Sequence, residues 1–140
     1  MLKTLIIIPV LNEENNIFPM YHKIKKYLKF KKDILFIDDN SKDNTQKKIL
    51  QIKKKFKNIY LIKRNKKIGI GSAHKDGLSW SYKKKYKIVV TLDCDGTHNP
   101  VHINKMISLI GNNKYQIIST NRFLKKNSLR DWSLWRKVLT

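Results

Sequence analysis

A chain of 140 residues is long enough for one domain with a hydrophobic core and too short to expect two. Lys and Arg number 31 against 10 Asp and Glu, a net charge of +21 that is compatible with disorder, but a hydrophobic fraction of 41% with clear local periodicity favours a globular fold. The single Cys94 excludes an intramolecular disulfide and fits the reducing cytoplasm. The apolar run at residues 5–11 is interrupted by Pro9 and followed by two glutamates, so we expect neither a signal peptide nor a membrane span.

The basic excess has two interpretations. Lys, Asn and Ile are all abundant and share AT-rich codons, so the lysines are explained in part by drift in codon composition onto solvated faces. The functional interpretation is attraction to an anionic partner, which means nucleic acid, a phosphorylated substrate or a membrane surface.

Short apolar runs rich in Ile and Val predict strands buried on both faces of a parallel sheet, at residues 5–10, 34–37, 59–62, 88–92 and 115–119. Segments with helical spacing lie between them. Their apolar positions are Ile17, Met20, Ile24 and Leu28, then Ile49, Ile52 and Phe56, and later Ile103, Met106 and Ile110. Strand and helix alternate five times, which predicts an α/β fold with right-handed crossovers and ligand chemistry at the carboxyl ends of the strands.

Acidic residues concentrate directly after three of these strands, in "PVLNEENN", "DDNSKDNT" and "DCDGTHNP". These loops hold seven of the ten acids, Glu13, Glu14, Asp38, Asp39, Asp43, Asp93 and Asp95. Carboxylates along one edge of a sheet repel each other unless a cation or ligand donors neutralise them. The arrangement therefore indicates a metal and nucleotide site.

In Asp93-Cys94-Asp95, the intervening residue lets both carboxylates turn toward one site as the strand ends. Ligands that are all oxygen favour a hard ion, Mg²⁺ or Mn²⁺. The alternative is structural, since acidic pairs at strand ends also form caps and turns, and the following "GTHNP" is typical of a turn into a helix. Asp38 and Asp39 are harder to explain by turn chemistry, although Asn40 and Asn44 tolerate left-handed backbone and Thr45 can cap the following helix.

The segment "RNKKIGIGSAHKDG" offers Lys67 to a phosphate and Gly69 and Gly71 for close backbone approach to a ligand. It matches neither the P-loop nor the dinucleotide fingerprint. We interpret His74 as a helix-face residue and Gly77 as the point of close helix packing.

Taken in order, "IIIPVLNEENNI", "LFIDDNSKDNT", "RNKKIGIGSAHKDGL", "VVTLDCDGTHNP" and "IISTNRF" resemble the successive signatures of glycosyltransferase family 2, which has the GT-A fold. The likeness covers essentially all 140 residues and is closest to dolichol-phosphate and polyprenol-phosphate mannosyltransferases. It implies an inverting enzyme that moves a sugar, mannose or glucose, from a GDP- or UDP-linked nucleotide sugar to a polyprenyl phosphate with Mg²⁺ or Mn²⁺. It also implies a single catalytic domain over residues 1–140 without the C-terminal part of the family domain.

The resemblance assigns nucleotide contacts along the first two loops. Pro9, Leu11 and Glu13 match the P-x-Y-N-E motif, with Leu11 in place of an aromatic residue. Ile37 and Asp39 match base and ribose contacts. The implied nucleotide-sugar set is Pro9, Leu11, Glu13, Ile37, Asp39, Lys67, Asp93, Cys94, Asp95 and Arg122.

The same resemblance assigns the reacting end of the site. Asp93, Cys94 and Asp95 match the motif that holds diphosphate and metal, and Thr97 stands where the family has a Gln or Ser that assists the metal. Arg122 matches the Arg of "SGTR" at the sugar and phosphate site. Asp95 and Arg122 are the implied catalytic residues, and Asp93, Asp95 and Thr97 the implied metal ligands.

At the C-terminus, "DWSLWRKVLT" resembles the family's W-x-x-x-R-x-x-x-S segment, with Trp132, Arg136 and Thr140 on its positions. Arg122, Arg136 and Thr140 are the implied acceptor-phosphate set. An ordinary amphipathic helix with Trp132 and Trp135 partly buried is the alternative. The segment favours peripheral contact with the cytoplasmic membrane face or a membrane partner subunit.

We nominate no general base, because a phosphate acceptor is already ionised at neutral pH. The cation would stabilise charge on the leaving diphosphate. Two alternatives stay open: a truncated or inactive member that binds nucleotide without turnover, and a basic nucleic-acid-binding module. The second is disfavoured, and we expect no nucleic-acid partner, because the aromatics form no stacking motif and the acids break up any basic groove. A sugar nucleotidyltransferase would need a glycine-rich loop near the first strand, which is missing.

Overall fold

The computed structural model describes residues 2–111 and 115–120 of the chain. The chain divides into two compact units, Met1–Ile107 and Ser108–Thr140. The expectation of one catalytic domain over residues 1–140 stays a prediction.

Four strands alternate with helices in the part of the chain that the structure describes. The elements are β1 (Thr4–Val10), α1 (Ile17–Tyr27), β2 (Lys32–Asp38), α2 (Thr45–Lys55), β3 (Ile59–Lys63), α3 (Ile70–Lys83), β4 (Ile88–Thr91), a single 3₁₀ turn (Pro100–His102) and α4 (Ile103–Gly111). The first four predicted strands and the predicted helices around Ile17, Ile49 and Ile103 are confirmed. None of the helices in the described residues combines the length and apolar character that crossing a bilayer requires.

The four strands form one parallel sheet in the order β3-β2-β1-β4. β1 is central, with Ile7 paired to Leu35 on one side and to Thr91 on the other, and all seven of its residues are buried. The chain therefore runs outward from β1 through β2 and β3 and then returns to the other side for β4. This reversal leaves a crevice at the carboxyl ends of β1 and β4, the place where α/β sheets bind ligands.

The two faces of the sheet bury separate hydrophobic clusters. Alternate residues of β1 and β2, including Ile6, Ile8 and Phe36, pack with α1, α2 and the start of α4. The opposite face packs against α3, where Gly77 is the closest point: a Cβ added there would lie 2.8 Å from both Ile37 Cδ1 and Ile7 Cγ2. The interpretation of Gly77 as a close-packing residue is confirmed.

The fifth predicted strand, residues 115–119, is wrong, because residues 115–120 contain no strand. A strand needs hydrogen bonds to a neighbour, and the apolar composition of this run alone does not supply them. Ile117 is 87% exposed, so the run is not buried as a sheet strand would be.

Candidate active site at the carboxyl edge of the sheet

A cavity of about 290 Å³ lies at this crevice, formed by the segments that follow β1, β2, β3 and β4. Four acids from three different loops, Glu13, Asp39, Asp93 and Asp95, lie along its wall. Eight of the ten residues expected to bind nucleotide sugar line it, Pro9, Leu11, Glu13, Asp39, Lys67, Asp93, Cys94 and Asp95.

Hydrogen bonds lock the loop after β1 to the loop after β2. The Glu13 N–H donates to Thr45 Oγ1 at 2.8 Å, and the Glu14 N–H donates to Asp43 Oδ2 at 3.0 Å. In return, the Asn44 N–H donates to Glu14 Oε2 at 2.9 Å. Hydrogen bonds from Asn44 lower the pKa of Glu14. The two loops therefore form one preorganised wall of the cavity.

The turn chemistry expected of the second loop holds only in part. Asn40 has left-handed backbone with φ 69°, as expected, whereas the N-cap residue Asn44 has φ −81°. Thr45 begins α2 rather than capping it, and its hydroxyl donates to Asp43 Oδ1 at 2.5 Å. For Asp43, burial raises the pKa, but the hydrogen bonds from Thr45 and Glu14 outweigh it, so the pKa is lowered.

Asp38 and Asp39 hold two different loops. Asp38 is fully buried, and its Oδ2 accepts from the Ser41 N–H at 3.1 Å and from Gln46 Nε2 at 2.6 Å. Asp39 is turned toward the segment after β3, where its carboxylate accepts from the backbone N–H of Gly69 at 2.8 Å. This division explains why two adjacent acids stand at the end of a buried strand.

Arg64 is the residue of this region that sequence reasoning missed. It is buried just after β3, and its Nη1 donates to Asp39 Oδ1 at 2.9 Å. Burial raises the pKa of Asp39, but the N–H groups of Ile68 and Gly69 and the Arg64 guanidinium outweigh it, so the pKa lies below its usual value. The sequence did contain a signal: an Arg stands among lysines at the end of β3, the strand that follows the Asp38-Asp39 pair. A buried carboxylate needs a cation nearby, and this Arg could supply it.

The acids of the fourth loop differ in exposure, Asp93 being half-buried and Asp95 exposed. Asp95 Oδ1 accepts from the Thr97 N–H at 2.9 Å and from Thr97 Oγ1 at 2.8 Å. Thr97, expected as a metal ligand, therefore orients Asp95 in this structure and does not line the cavity. His98, which was not predicted, lies with its Nδ1 3.4 Å from Asp93 Oδ2 and 3.3 Å from the Asp93 nitrogen.

The donor set suits a hard divalent cation. Asp93 and Asp95 present carboxylate oxygens on one cavity wall, which are the ligands that Mg²⁺ and Mn²⁺ prefer, and such ions commonly keep waters and add substrate phosphate oxygens. Within residues 2–111 and 115–120, no group of three or more His, Cys, Asp or Glu side chains is arranged to hold a metal. Asp93 and Asp95 are the residues that would hold such an ion, with substrate oxygens as further ligands.

Cys94 stands between these acids and faces the cavity as a buried thiol. Burial, aided by the carboxylates of Glu13 and Asp95, raises its pKa to about 12. The thiol is therefore protonated at neutral pH and forms an apolar part of the wall rather than a thiolate ligand.

One described residue of the expected nucleotide-sugar set, Ile37, lies away from the cavity. Ile37 is fully buried in the core facing α3 and does not line the cavity. Arg122, Arg136 and Thr140 lie outside the described residues, as do both tryptophans of the C-terminal segment.

The parallel sheet with flanking helices and a crevice beside β1 defines a GT-A fold. A mannosyltransferase from Pyrobaculum calidifontis, solved with GDP-Man and Mn²⁺, matches it with a TM-score of 0.59 at 21% identity over 67% of this chain and 28% of that chain. Residues 5–138 match the model for Glycosyl transferase family 2. The chain belongs to that family, and the resemblance seen in the sequence is confirmed.

Several curated relatives carry functional names, among them the following two. The polyprenol monophosphomannose synthase of Mycolicibacterium smegmatis is 26% identical over 98% of this chain and 51% of its own length. The dolichol-phosphate mannosyltransferase of Pyrococcus furiosus is 29% identical over 99% of this chain and 38% of its own length. The chain therefore spans about half the length of these relatives or less.

Proposed function

We propose that this chain carries the nucleotide-sugar site of an inverting glycosyltransferase that transfers a hexose to a polyprenyl phosphate. The observation that supports it most directly is the gathering of Glu13, Asp39, Asp93 and Asp95 with Lys67 around one cavity at the strand reversal. The names of the two curated relatives support a lipid-linked phosphate as acceptor.

The two ends of the cavity suit the two ends of a nucleotide sugar. Glu13 would face the nucleoside together with the acceptor capacity that Asp39 retains beside the Gly69 N–H, while Lys67 would neutralise phosphate oxygens opposite the aspartates of the fourth loop. Mannose is the sugar that the names of the two relatives support, and the nucleotide that carries it is GDP or UDP.

Asp93 and Asp95 would hold a Mg²⁺ or Mn²⁺ ion together with the diphosphate. When bound, such an ion supplies Lewis-acid stabilisation to the negative charge of the leaving group. The part of Thr97 is to fix the Asp95 carboxylate through two hydrogen bonds, so that little reorganisation is needed on binding.

The acceptor phosphate is anionic at neutral pH, so its oxygen can attack without a general base. We assign Arg122, with Arg136 and Thr140, to holding that phosphate in line with the leaving group, because cationic forks orient phosphate well. This assignment rests on the sequence resemblance alone.

Contact with the cytoplasmic face of a membrane, directly or through a partner subunit, is part of the proposal. α1 and α2 pack on the same face of the sheet, and the segments 17–32 and 45–57 contain no Asp or Glu. We define the basic layer as their ten exposed lysines, Lys23, Lys25, Lys26, Lys29, Lys31, Lys47, Lys53, Lys54, Lys55 and Lys57. Each lysine near an anionic bilayer contributes about 1 kcal/mol.

Nucleotide binding without turnover is the second candidate, because the expected residues that line the cavity are nucleotide-sugar contacts, whereas the acceptor-phosphate set is assigned by resemblance alone. One assay separates the two: transfer of labelled mannose from GDP-mannose to polyprenyl phosphate, with and without Mn²⁺, beside calorimetric binding of GDP. Transfer that depends on Mn²⁺ supports the enzyme, and binding without transfer supports the second candidate. Failure to bind GDP and UDP would contradict both.

A further inference from the structure

Arg64 joins three separate segments around the cavity. Its Nη1 donates to Asp39 Oδ1 at 2.9 Å and to the Gly69 carbonyl at 3.3 Å. Its Nη2 donates to Ser72 Oγ, and its Nε lies 3.2 Å from Asp76 Oδ2. One side chain at the end of β3 thus binds the end of β2, the turn before α3 and the first turns of α3.

This use of the guanidinium is specific to Arg. The Arg64 side chain is only 6% exposed, so its charge requires partners that compensate for the lost hydration. A lysine carries the same charge but has a single nitrogen, and it lacks the planar fork that binds several acceptors in fixed directions. A lysine at this position would donate from one point and would not reach all of these acceptors at once.

The Asp39 carboxylate is occupied by this arrangement. Besides Arg64, it accepts the Ile68 N–H at 3.0 Å and the Gly69 N–H at 2.8 Å. A carboxylate has about four acceptor positions, so most of its capacity holds the turn. Gly69 has φ 109°, a backbone conformation that a side chain would strain, and the contacts to Asp39 and Arg64 stabilise it.

The stabilised segment carries a cation to the cavity. Between Arg64 and Ser72 lie Lys67 and Gly69, both of which line the cavity, whereas the neighbouring Lys66 is exposed and does not. Lys67 itself is exposed, so its position depends on the backbone that carries it. That backbone is tied down by Asp39 and Arg64.

We propose that Arg64 is a positioning residue, which fixes the segment 65–72 so that Lys67 is aimed at the diphosphate of the bound nucleotide. This inference rests on the proposed function. Arg64 acts through other residues and is not expected to touch substrate.

A double-mutant cycle on GDP affinity tests the coupling. We expect Arg64→Lys and Lys67→Ala each to weaken GDP binding about tenfold, and the double variant to be little weaker than either, because coupled residues are not additive. The matched control is Lys66→Ala, whose effect should be small and additive with Arg64→Lys. Additive losses from Arg64→Lys and Lys67→Ala would overturn the positioning role.

Amide hydrogen exchange gives a second readout that needs no ligand. In Arg64→Lys, the Ile68 and Gly69 amides should exchange at least tenfold faster, because their acceptor Asp39 has lost its anchor. The Leu92 amide, which donates to the Ile7 carbonyl at 3.0 Å, is the control and should be unchanged. Unchanged exchange at both residues would overturn the inference.

Two further outcomes have definite meanings. If Arg64→Lys does not fold, Ser72→Ala is used in its place, because it removes only the partner of Nη2. Exchange at the Ile68 and Gly69 amides should be faster in this variant, and unchanged exchange in a folded Ser72→Ala would overturn the inference. If the wild-type chain binds neither GDP nor UDP, the proposed function is wrong and the role in nucleotide binding with it. A wild-type chain that binds GDP while the cycle is additive leaves the proposed function intact and rejects only the role of Arg64.

Discussion

Replacement of Gly77 by Ala should destabilise the fold, against the normal trend for glycines in helices. The added Cβ would lie 2.8, 2.8 and 2.9 Å from three carbons of Ile37 and Ile7, whereas carbon contacts are optimal at about 3.5–4.0 Å. Both isoleucines are fully buried in adjacent central strands, so neither can move without disturbing the sheet. We place the overpacking cost in the upper part of its usual range, about 2–3 kcal/mol.

Against this cost, Ala in a helix interior gains about 1 kcal/mol over Gly. The net loss in free energy of unfolding should therefore be about 1–2 kcal/mol, measured by urea denaturation at constant m-value. Gly71→Ala is the matched control, because nothing lies within 4 Å of its added Cβ, and it should stabilise the protein by up to about 1 kcal/mol. A Gly77→Ala variant as stable as wild type would refute the packing of α3 described above.

Three further predictions concern charge. Asp95→Asn should weaken Mn²⁺-dependent GDP binding at least tenfold with little change in stability, and undiminished calorimetric binding would reject this ligand. Because the pKa of Asp39 is lower in the folded protein, its carboxylate adds stability above its unfolded pKa of about 4, and this stability is lost as the pH falls through the folded pKa. In Asp39→Asn, the loss of stability in acid should be smaller than in wild type. Equal profiles of stability against pH for the two proteins would contradict this prediction. Replacing five lysines of the basic layer by Gln should weaken binding to anionic vesicles at low salt by about 1 kcal/mol for each lysine. If replacing five lysines of a control set weakens binding equally, the binding depends on total charge and not on the basic layer. That control set is Lys75, Lys83, Lys84, Lys85 and Lys87.

The strands and loops that form the site were easier to predict from the sequence than the contacts between their side chains. A short continuous apolar run rich in Ile predicted β1, because a strand buried on both faces is apolar at nearly every position and β-branched residues favour strands. Acids placed directly after strands were enough to predict a common site, because parallel strands end at one edge. The strand order was not predictable, since it depends on which crossovers pack. The predicted strand at residues 115–119 was wrong because apolar composition does not supply hydrogen bonds to a neighbouring strand.

The hydrogen-bond partners of the site residues could not be predicted from the sequence either. Thr97 stays a predicted metal ligand, and its nearness to Asp95 along the chain lets its N–H and hydroxyl also close a local turn that the motif did not predict. The pairing of Arg64 with Asp39 joins positions 25 residues apart, and it depends on β2 and β3 being neighbours in the sheet. Burial raises the pKa of Cys94 and keeps its thiol protonated, and that burial depends on how the strands and helices pack together.

Amide NMR of the isotopically labelled chain during titration with GDP and Mg²⁺ tests the central claim most directly, because every backbone segment around the cavity reports separately. We predict saturable chemical-shift changes at the amides of Glu13, Asp39, Gly69 and Cys94, four cavity residues from the four different loops. The changes should be smaller without Mg²⁺. Shifts confined to the basic layer, or none at the cavity with GDP or UDP, would contradict a nucleotide-sugar site at this edge of the sheet.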